Sequence, residues 1–210
     1  MRPDNDFIRP ALEALRAGAI VAYPTETFYG LAVDPENELA VAALYALKRR
    51  SRKKALSLLI PEREFLPSIV DSTPAPYQKL IHRFWPGPLT LIFKKKKNSL
   101  SFITGEDDSI ALRISSHPIA AEFCRQWGRA ITATSANASG EPELLTAESI
   151  AALWGDRVAC ILDGGMTTGA PGSTIVCCEE ENKSCRIIRK GRIAARDIQQ
   201  NLPDDYIICK

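Results

Sequence analysis

Short apolar runs that stop abruptly at polar or proline-glycine turn chemistry recur along this chain, with helix-spaced segments between them. A run such as Ile20 to Tyr23, cut off by Pro24, suits a buried strand that delivers Thr25, Glu26 and Thr27 to its C-terminal end. Further strands are predicted at Leu56 to Ile60, Leu89 to Phe93, Ile110 to Ile114, Ile131 to Thr134 and Cys160 to Leu162. Helices are predicted at Pro10 to Ala17, with Pro10 in the first turn and Gly18 at the end, and at Glu38 to Leu47, Tyr77 to Phe84, Pro118 to Trp127 and Ala147 to Trp154. That interleaving specifies an α/β sheet with helical cover. Thr174 to Cys178 and Arg186 to Arg189 flank a polar stretch, which reads as a hairpin and makes the sheet mixed.

No internal repeat, low-complexity tract or Pro/Gly-rich linker divides residues 1–210, so a single domain is expected. The formal net charge is +2, so the total charge calls for no nucleic-acid or membrane partner, and no stretch nears the ~20 apolar residues of a membrane span. Six scattered cysteines without a C-x-x-C pair read as reduced thiols of a cytoplasmic protein.

The densest charge is Lys48-Arg49-Arg50-Ser51-Arg52-Lys53-Lys54, six cations in seven positions where a helix gives way to a strand. As a bare charge run it suits a solvated helix C-terminus; beside a sheet it suits a polyanion, since arginine forks and lysine point charges together are what polyphosphate chemistry uses. The Lys94 to Lys97 run reads as a solvated, edge-protecting segment. Thr25 to Thr27, Ser135 to Asn137 and Asp163 to Gly165 each follow a strand, where open α/β sheets bind ligands, although each alone is ordinary turn chemistry. Arg113 closes an apolar run and needs an anionic partner if buried, for which a bound carboxylate is a candidate. Glu26, in the first of these turns, suits capping of that turn. His82 and His117 have no nucleophile motif beside them, and the chain carries neither a G-x-x-x-x-G-K-[ST] loop nor a G-x-G-x-x-G fingerprint.

Tyr23-Pro24-Thr25-Glu26-Thr27-Phe28-Tyr29-Gly30-Leu31, the K-x-R of Lys48 and Arg50, Phe84-Trp85-Pro86-Gly87-Pro88-Leu89-Thr90, Ala111-Leu112-Arg113 and Thr134-Ser135-Ala136-Asn137 follow in order, then Asp163-Gly164-Gly165, Ser173-Thr174-Ile175-Val176 and Arg189-x-Gly191. Together, over about residues 10–195, they resemble the YrdC-like threonylcarbamoyl-AMP synthases, in a short, single-domain form. The resemblance implies a YrdC-like fold, a twisted mixed sheet of parallel and antiparallel strands with packed helices and a concave ligand cleft. It implies synthesis of threonylcarbamoyl-AMP and pyrophosphate from L-threonine, bicarbonate and ATP, with Mg2+ accompanying ATP and no protein metal site. tRNA and a threonylcarbamoyl-transfer complex would lie downstream.

Carried over position by position, Lys48 and Arg50 are catalytic, and Arg50, Lys54, Ser109, Ser135, Asn137 and Arg189 face ATP. Thr27, Arg113, Ala133 and Ser173 hold threonine. Arg49 and Ser51 stand where relatives commonly carry Gly and Pro, Ala55 replaces a frequent Pro, and Gly172 precedes Ser173 where Pro is common; these alter the stiffness of both loops. Ending near residue 210, the chain would lack the extra C-terminal domain of long-form relatives. Rival readings are a YciO-type paralogue, which tends to lack the K-x-R and S-x-N pair, an RNA-binding module using a basic face, and the carbamoyl-transfer domain of hydrogenase maturation proteins, which normally sits in a much longer chain.

Overall fold

The computed structural model describes residues 3–97, 100, 102–103, 108–169 and 171–209. Four strands form one sheet in the order β7 (Thr134–Ser135), β2 (Gly30–Ala32), β1 (Val21–Tyr23) and β8 (Cys160–Ile161). Seven form the other, in the order β11 (Ile207–Cys209), β10 (Ser184–Arg189), β9 (Thr174–Glu179), β4 (Leu89–Lys94), β5 (Ser109–Arg113), β3 (Ser57–Leu59) and β6 (Ile131–Thr132). Both sheets are mixed: β1 with β8, β3 with β5, β4 with β9 and β10 with β11 run parallel, and the remaining pairs antiparallel. The expected α/β architecture and the β9–β10 hairpin are present.

The segment expected as one strand over Ile131 to Thr134 divides at Ala133. Ile131 and Thr132 pair with β3, whereas Thr134 and Ser135 pair with β2 in the other sheet. Ala133 therefore marks the crossing between sheets, held by its amide N–H to the Ser57 carbonyl at 2.7 Å.

Helix starts follow their caps. Helix α1 (Asn5–Arg16) begins before the expected Pro10, because Asp4 accepts the Phe7 amide at 2.7 Å and Ile8 is already buried; Pro10 lies inside the helix. Helix α2 (Glu38–Leu47) starts at Asn37, which accepts the Ala40 amide. After the short α3 (Leu66–Ile69), α4 (Ala75–Phe84) and α5 (Pro118–Trp127) carry proline in their first turn, and Gly128 follows α5 in the left-handed region. Helix α6 (Ala147–Trp154) has a capping box between Thr146 and Ser149, and α7 (Ala195–Gln199) precedes β11.

The core follows from which face each element buries. Leu58, Leu91, Phe93, Ile110, Leu112 and Val176 of the larger sheet are buried in one cluster with Tyr77, Leu80 and Ile81 of α4. A second cluster joins Ile8, Leu12 and Leu15 of α1 to Phe123 of α5 over Val21 and Tyr23 of one sheet and Leu59 and Ile131 of the other. Each such side chain contributes about 1.5–3 kcal/mol on burial, so this helical layer fixes how the two sheets meet.

Two expectations are corrected here. Cys178 and Cys185 oppose each other in the β9–β10 register and are joined by a disulfide, while Cys124, Cys160, Cys177 and Cys209 take part in none. Strand register, invisible in the sequence spacing, brings the pair together. Lys94 to Lys97 does not protect an edge, because β4 lies between β9 and β5. Lys95 there is buried, with an ion pair to Asp108 at 3.4 Å. No helix among the described residues is long and apolar enough to cross a membrane.

Candidate active site

Strand alternation builds the site's floor. Ile110 and Leu112 of β5 enter the core, so Ser109, Ala111 and Arg113 face the other way, and all three line a cavity of about 290 Å3. The neighbouring strands repeat the pattern: Thr90 and Ile92 line the cavity while Leu91 and Phe93 are core, and Ile175 lines it while Val176 is core. Ser57 of β3 lies beside Ala111 on the same floor. Thr27, Phe28, Ala133, Thr134, Ser135 and Glu143 contribute further lining, with Arg50 and Arg189 adding charge.

Three guanidinium groups thus share one small space, each aimed by local structure. Arg50 follows the C-terminus of α2, where the Arg49 amide bonds the Ala46 carbonyl and the Arg50 amide bonds the Tyr45 carbonyl. That is a Schellman end, and it requires a left-handed residue, here Arg49 at φ 50°. The Arg50 guanidinium then donates to the carbonyls of Lys54 at 3.2 Å and Ala55 at 2.9 Å. Arg113 ends β5 and meets Glu26, with Nη1 to Oε1 at 3.1 Å; the other Glu26 oxygen accepts the Ser115 hydroxyl. The anion beside Arg113 in this structure is therefore a side chain of the protein.

Arg189, at the end of β10, donates to the Ser173 carbonyl and, at 2.9 Å, to the Ser173 hydroxyl, which shares a hydrogen bond with Thr90 Oγ1 at 2.8 Å. Gly191 permits this approach, since a Cβ there would lie 2.4 Å from the backbone of Gly172, Ser173 and Thr174. Burial lowers the pKa of Arg50; burial and then the charge of Arg113 lower that of Arg189. Arginine stays protonated regardless, and Glu143, the carboxylate in the lining, acts on Arg189 in the opposite sense.

The K-x-R and S-x-N elements meet in space. Lys48 is 1% exposed, and its ammonium donates to the carbonyls of Ser135 and, at 2.6 Å, Asn137. The Ser135 hydroxyl bonds Asn137 Oδ1, and Asn137 Nδ2 donates to the Glu141 carbonyl. Lys48 therefore holds the 135–137 loop from behind, while Arg50, two residues on, reaches the cavity. Burial, then the Arg50 charge, pushes the Lys48 pKa down to about 8.

Of the residues singled out in the sequence, the structure gathers Thr27, Arg50, Ser109, Arg113, Ala133, Ser135, Ser173 and Arg189 around one cavity. It leaves Lys48 and Asn137 buried behind the lining, and Lys54 exposed outside it. Sequence reasoning missed Phe28, Thr90, Ile92, Glu143 and Ile188, and Ser115 behind Glu26. The Ser109-Ile110-Ala111-Leu112-Arg113 alternation was a usable signal for the floor; Glu143 lies in a loop and carried none.

Fold and site together define an α/β protein with a cation- and hydroxyl-lined cavity for anionic small molecules. A family model covering Sua5, YciO and YrdC proteins, described as "Telomere recombination", matches residues 13–191. The chain belongs to the Sua5/YciO/YrdC family. It is 32% identical over 186 residues to threonylcarbamoyl-AMP synthase of Vibrio cholerae, covering 88% of this chain and 97% of that one. Against the synthase of Methylococcus capsulatus it is 47% identical over 133 residues, 63% of this chain and 72% of the other. The crystal structure of P. abyssi Sua5 complexed with L-threonine superposes with a TM-score of 0.90 at 33% identity, covering 100% of this chain, which spans 61% of that protein's length. E. coli YciO, at 21% identity and a TM-score of 0.83 over 94% of this chain and 95% of its own, shares the fold.

Proposed function

We propose that this chain is an L-threonylcarbamoyladenylate synthase, converting L-threonine, bicarbonate and ATP to threonylcarbamoyl-AMP and pyrophosphate for tRNA threonylcarbamoyladenosine formation. The observation that carries the reading is the convergence of Arg50, Arg113 and Arg189 with the hydroxyls of Thr27, Ser109, Ser135 and Ser173 on one cavity. Family membership, and the synthases similar over most of this chain, support it.

In the first stage bicarbonate yields carbon dioxide as its hydroxyl leaves as water; the threonine nitrogen attacks that carbon, an N–C bond forms, and the proton the amine gives up balances the one the hydroxyl takes. A carbamate oxygen then attacks the α-phosphorus of ATP, the bond from that phosphorus to the bridging oxygen breaks, and pyrophosphate leaves. Neither stage needs a protein nucleophile. The protein's part is to position the reactants and to offset negative charge growing on phosphorus. Arg113 with Thr27 and Ser173 holds the amino acid; Arg50, Ser109, Ser135 and Arg189 meet the nucleotide. Lys48 acts through the 135–137 loop, keeping Ser135 in place from below. Mg2+ would arrive on the ATP phosphates and share their charge, with Glu143 the carboxylate among the lining residues.

A YciO-type role is disfavoured because Lys48 and the 135–137 loop are joined directly in this fold. The test is pyrophosphate release by purified protein with ATP, Mg2+ and bicarbonate, with and without L-threonine, using L-serine as control. Release that requires both threonine and bicarbonate is expected. Arg113→Ala is expected to abolish that turnover and to keep ATP binding. RNA affinity without threonine-dependent release, unchanged in Arg113→Ala, would replace the enzyme with a binding module.

A further inference from the structure

Arg113 has its anionic partner built in, and that partner is held as firmly as the arginine. The side chains of Arg113 and Glu26 are only 8% and 12% exposed. Glu26 spends one carboxylate oxygen on Arg113 Nη1 and the other on the Ser115 hydroxyl, which itself accepts the His117 amide at 3.2 Å. The Glu26 backbone is tied as well, its carbonyl accepting the Thr168 hydroxyl at 2.8 Å, while the next carbonyl, of Thr27, accepts the Gly169 amide at 2.7 Å. The ion pair leaves the rest of the guanidinium to face the cavity that Arg113 lines.

An arginine in a cavity wall has four side-chain torsions to fix before it can present a planar fork to a carboxylate, and a pre-oriented fork loses less freedom on binding. We infer that Glu26, seated by Ser115, is a positioning residue that fixes the Arg113 guanidinium for the α-carboxylate of the amino-acid substrate. The inference rests on the synthase reading. It gives Glu26 a positioning part and no part in proton transfer, which the kcat of Glu26→Gln tests. It also confines the effect of Glu26 to the amino-acid side: Arg50 and Arg189 are held by backbone carbonyls and Ser173, not by Glu26.

The test measures L-threonine and Mg·ATP binding by calorimetry, and KM for each with kcat, in the full-length protein and in Glu26→Ala, Glu26→Gln and Ser115→Ala. Glu26→Ala should raise the threonine Kd and KM by about tenfold or more, with the ATP values within about twofold, as fits loss of a charge-assisted contact on one side only. Glu26→Gln should recover most of that loss, because the amide keeps an acceptor for Arg113 Nη1 and a donor for Ser115 Oγ. Ser115→Ala should weaken threonine alone, by about two- to fivefold. Threonine constants unchanged in Glu26→Ala, or threonine and ATP weakening together, would overturn the inference. So would a fall in kcat of about a hundredfold or more in Glu26→Gln, the mark of a general base. If Glu26→Ala is unfolded by circular dichroism, Ser115→Ala decides: an unchanged threonine KM there overturns the inference. Failure of the synthase reading shows separately, as wild-type protein that binds no threonine.

Discussion

A lysine ammonium buried against two backbone carbonyls brings its own pH dependence to the fold. Lys48 loses its proton at about pH 8 in the folded chain, against 10.5 as the ordinary value, because burial and the nearby Arg50 disfavour the charged form. Between those values the unfolded chain is protonated at Lys48 and the folded chain is not, so unfolding takes up a proton. Raising the pH through this window then favours the folded state. Below about pH 8 both states are charged and the fold bears the whole desolvation cost. Wild type should therefore gain stability relative to Lys48→Met by up to about 3 kcal/mol between pH 8 and 10.5, read as the difference of two urea-unfolding series. A difference that stays flat, or falls, contradicts this account of Lys48.

At the scale of elements, the end of α2 decides where Arg50 points, and it does so through an unfavourable residue. Arg49 occupies the left-handed position of a Schellman end, φ 50°, which glycine enters without steric cost. Arg49→Gly should raise stability by up to about 1 kcal/mol, after allowing for the greater freedom of glycine in the unfolded chain. A loss of stability in that variant would mean that the Arg49 side chain contributes more than its backbone strain costs. Elements whose signals are local were legible in the sequence: α2, α4, α5 and α6 begin and end near their caps and turns, and β9 and β10 flank a polar turn. Elements defined by distant partners were not. Strand β2 is three residues long and exists through pairing with β1 and β7. The Ile131 to Thr134 run divides because its halves find partners in different sheets, and the Cys178–Cys185 bond follows from hairpin register.

Over the whole molecule, a net charge of +2 conceals a cavity into which three arginines converge. The residues alone indicated a cationic, hydroxyl-rich site at strand ends, and they marked Arg113 as needing an anion. The family resemblance supplied Ser109, Ala133, Ser173 and Arg189, all of which line the cavity. What stayed hidden was how side chains spend their contacts across the fold. Glu26 meets Arg113 over 87 residues of chain, and Lys48 reaches Asn137 over 89, where only the folded topology sets the distance. The central claim is that this one cavity joins an amino acid, a carbon from bicarbonate and the α-phosphate of ATP. The most direct test is mass spectrometry of the nucleotide products after incubating the purified protein with ATP, Mg2+, L-threonine and 13C-bicarbonate. The account predicts an AMP adduct of threonine carrying the labelled carbon, formed together with pyrophosphate. AMP or ADP without any labelled threonine adduct would contradict it.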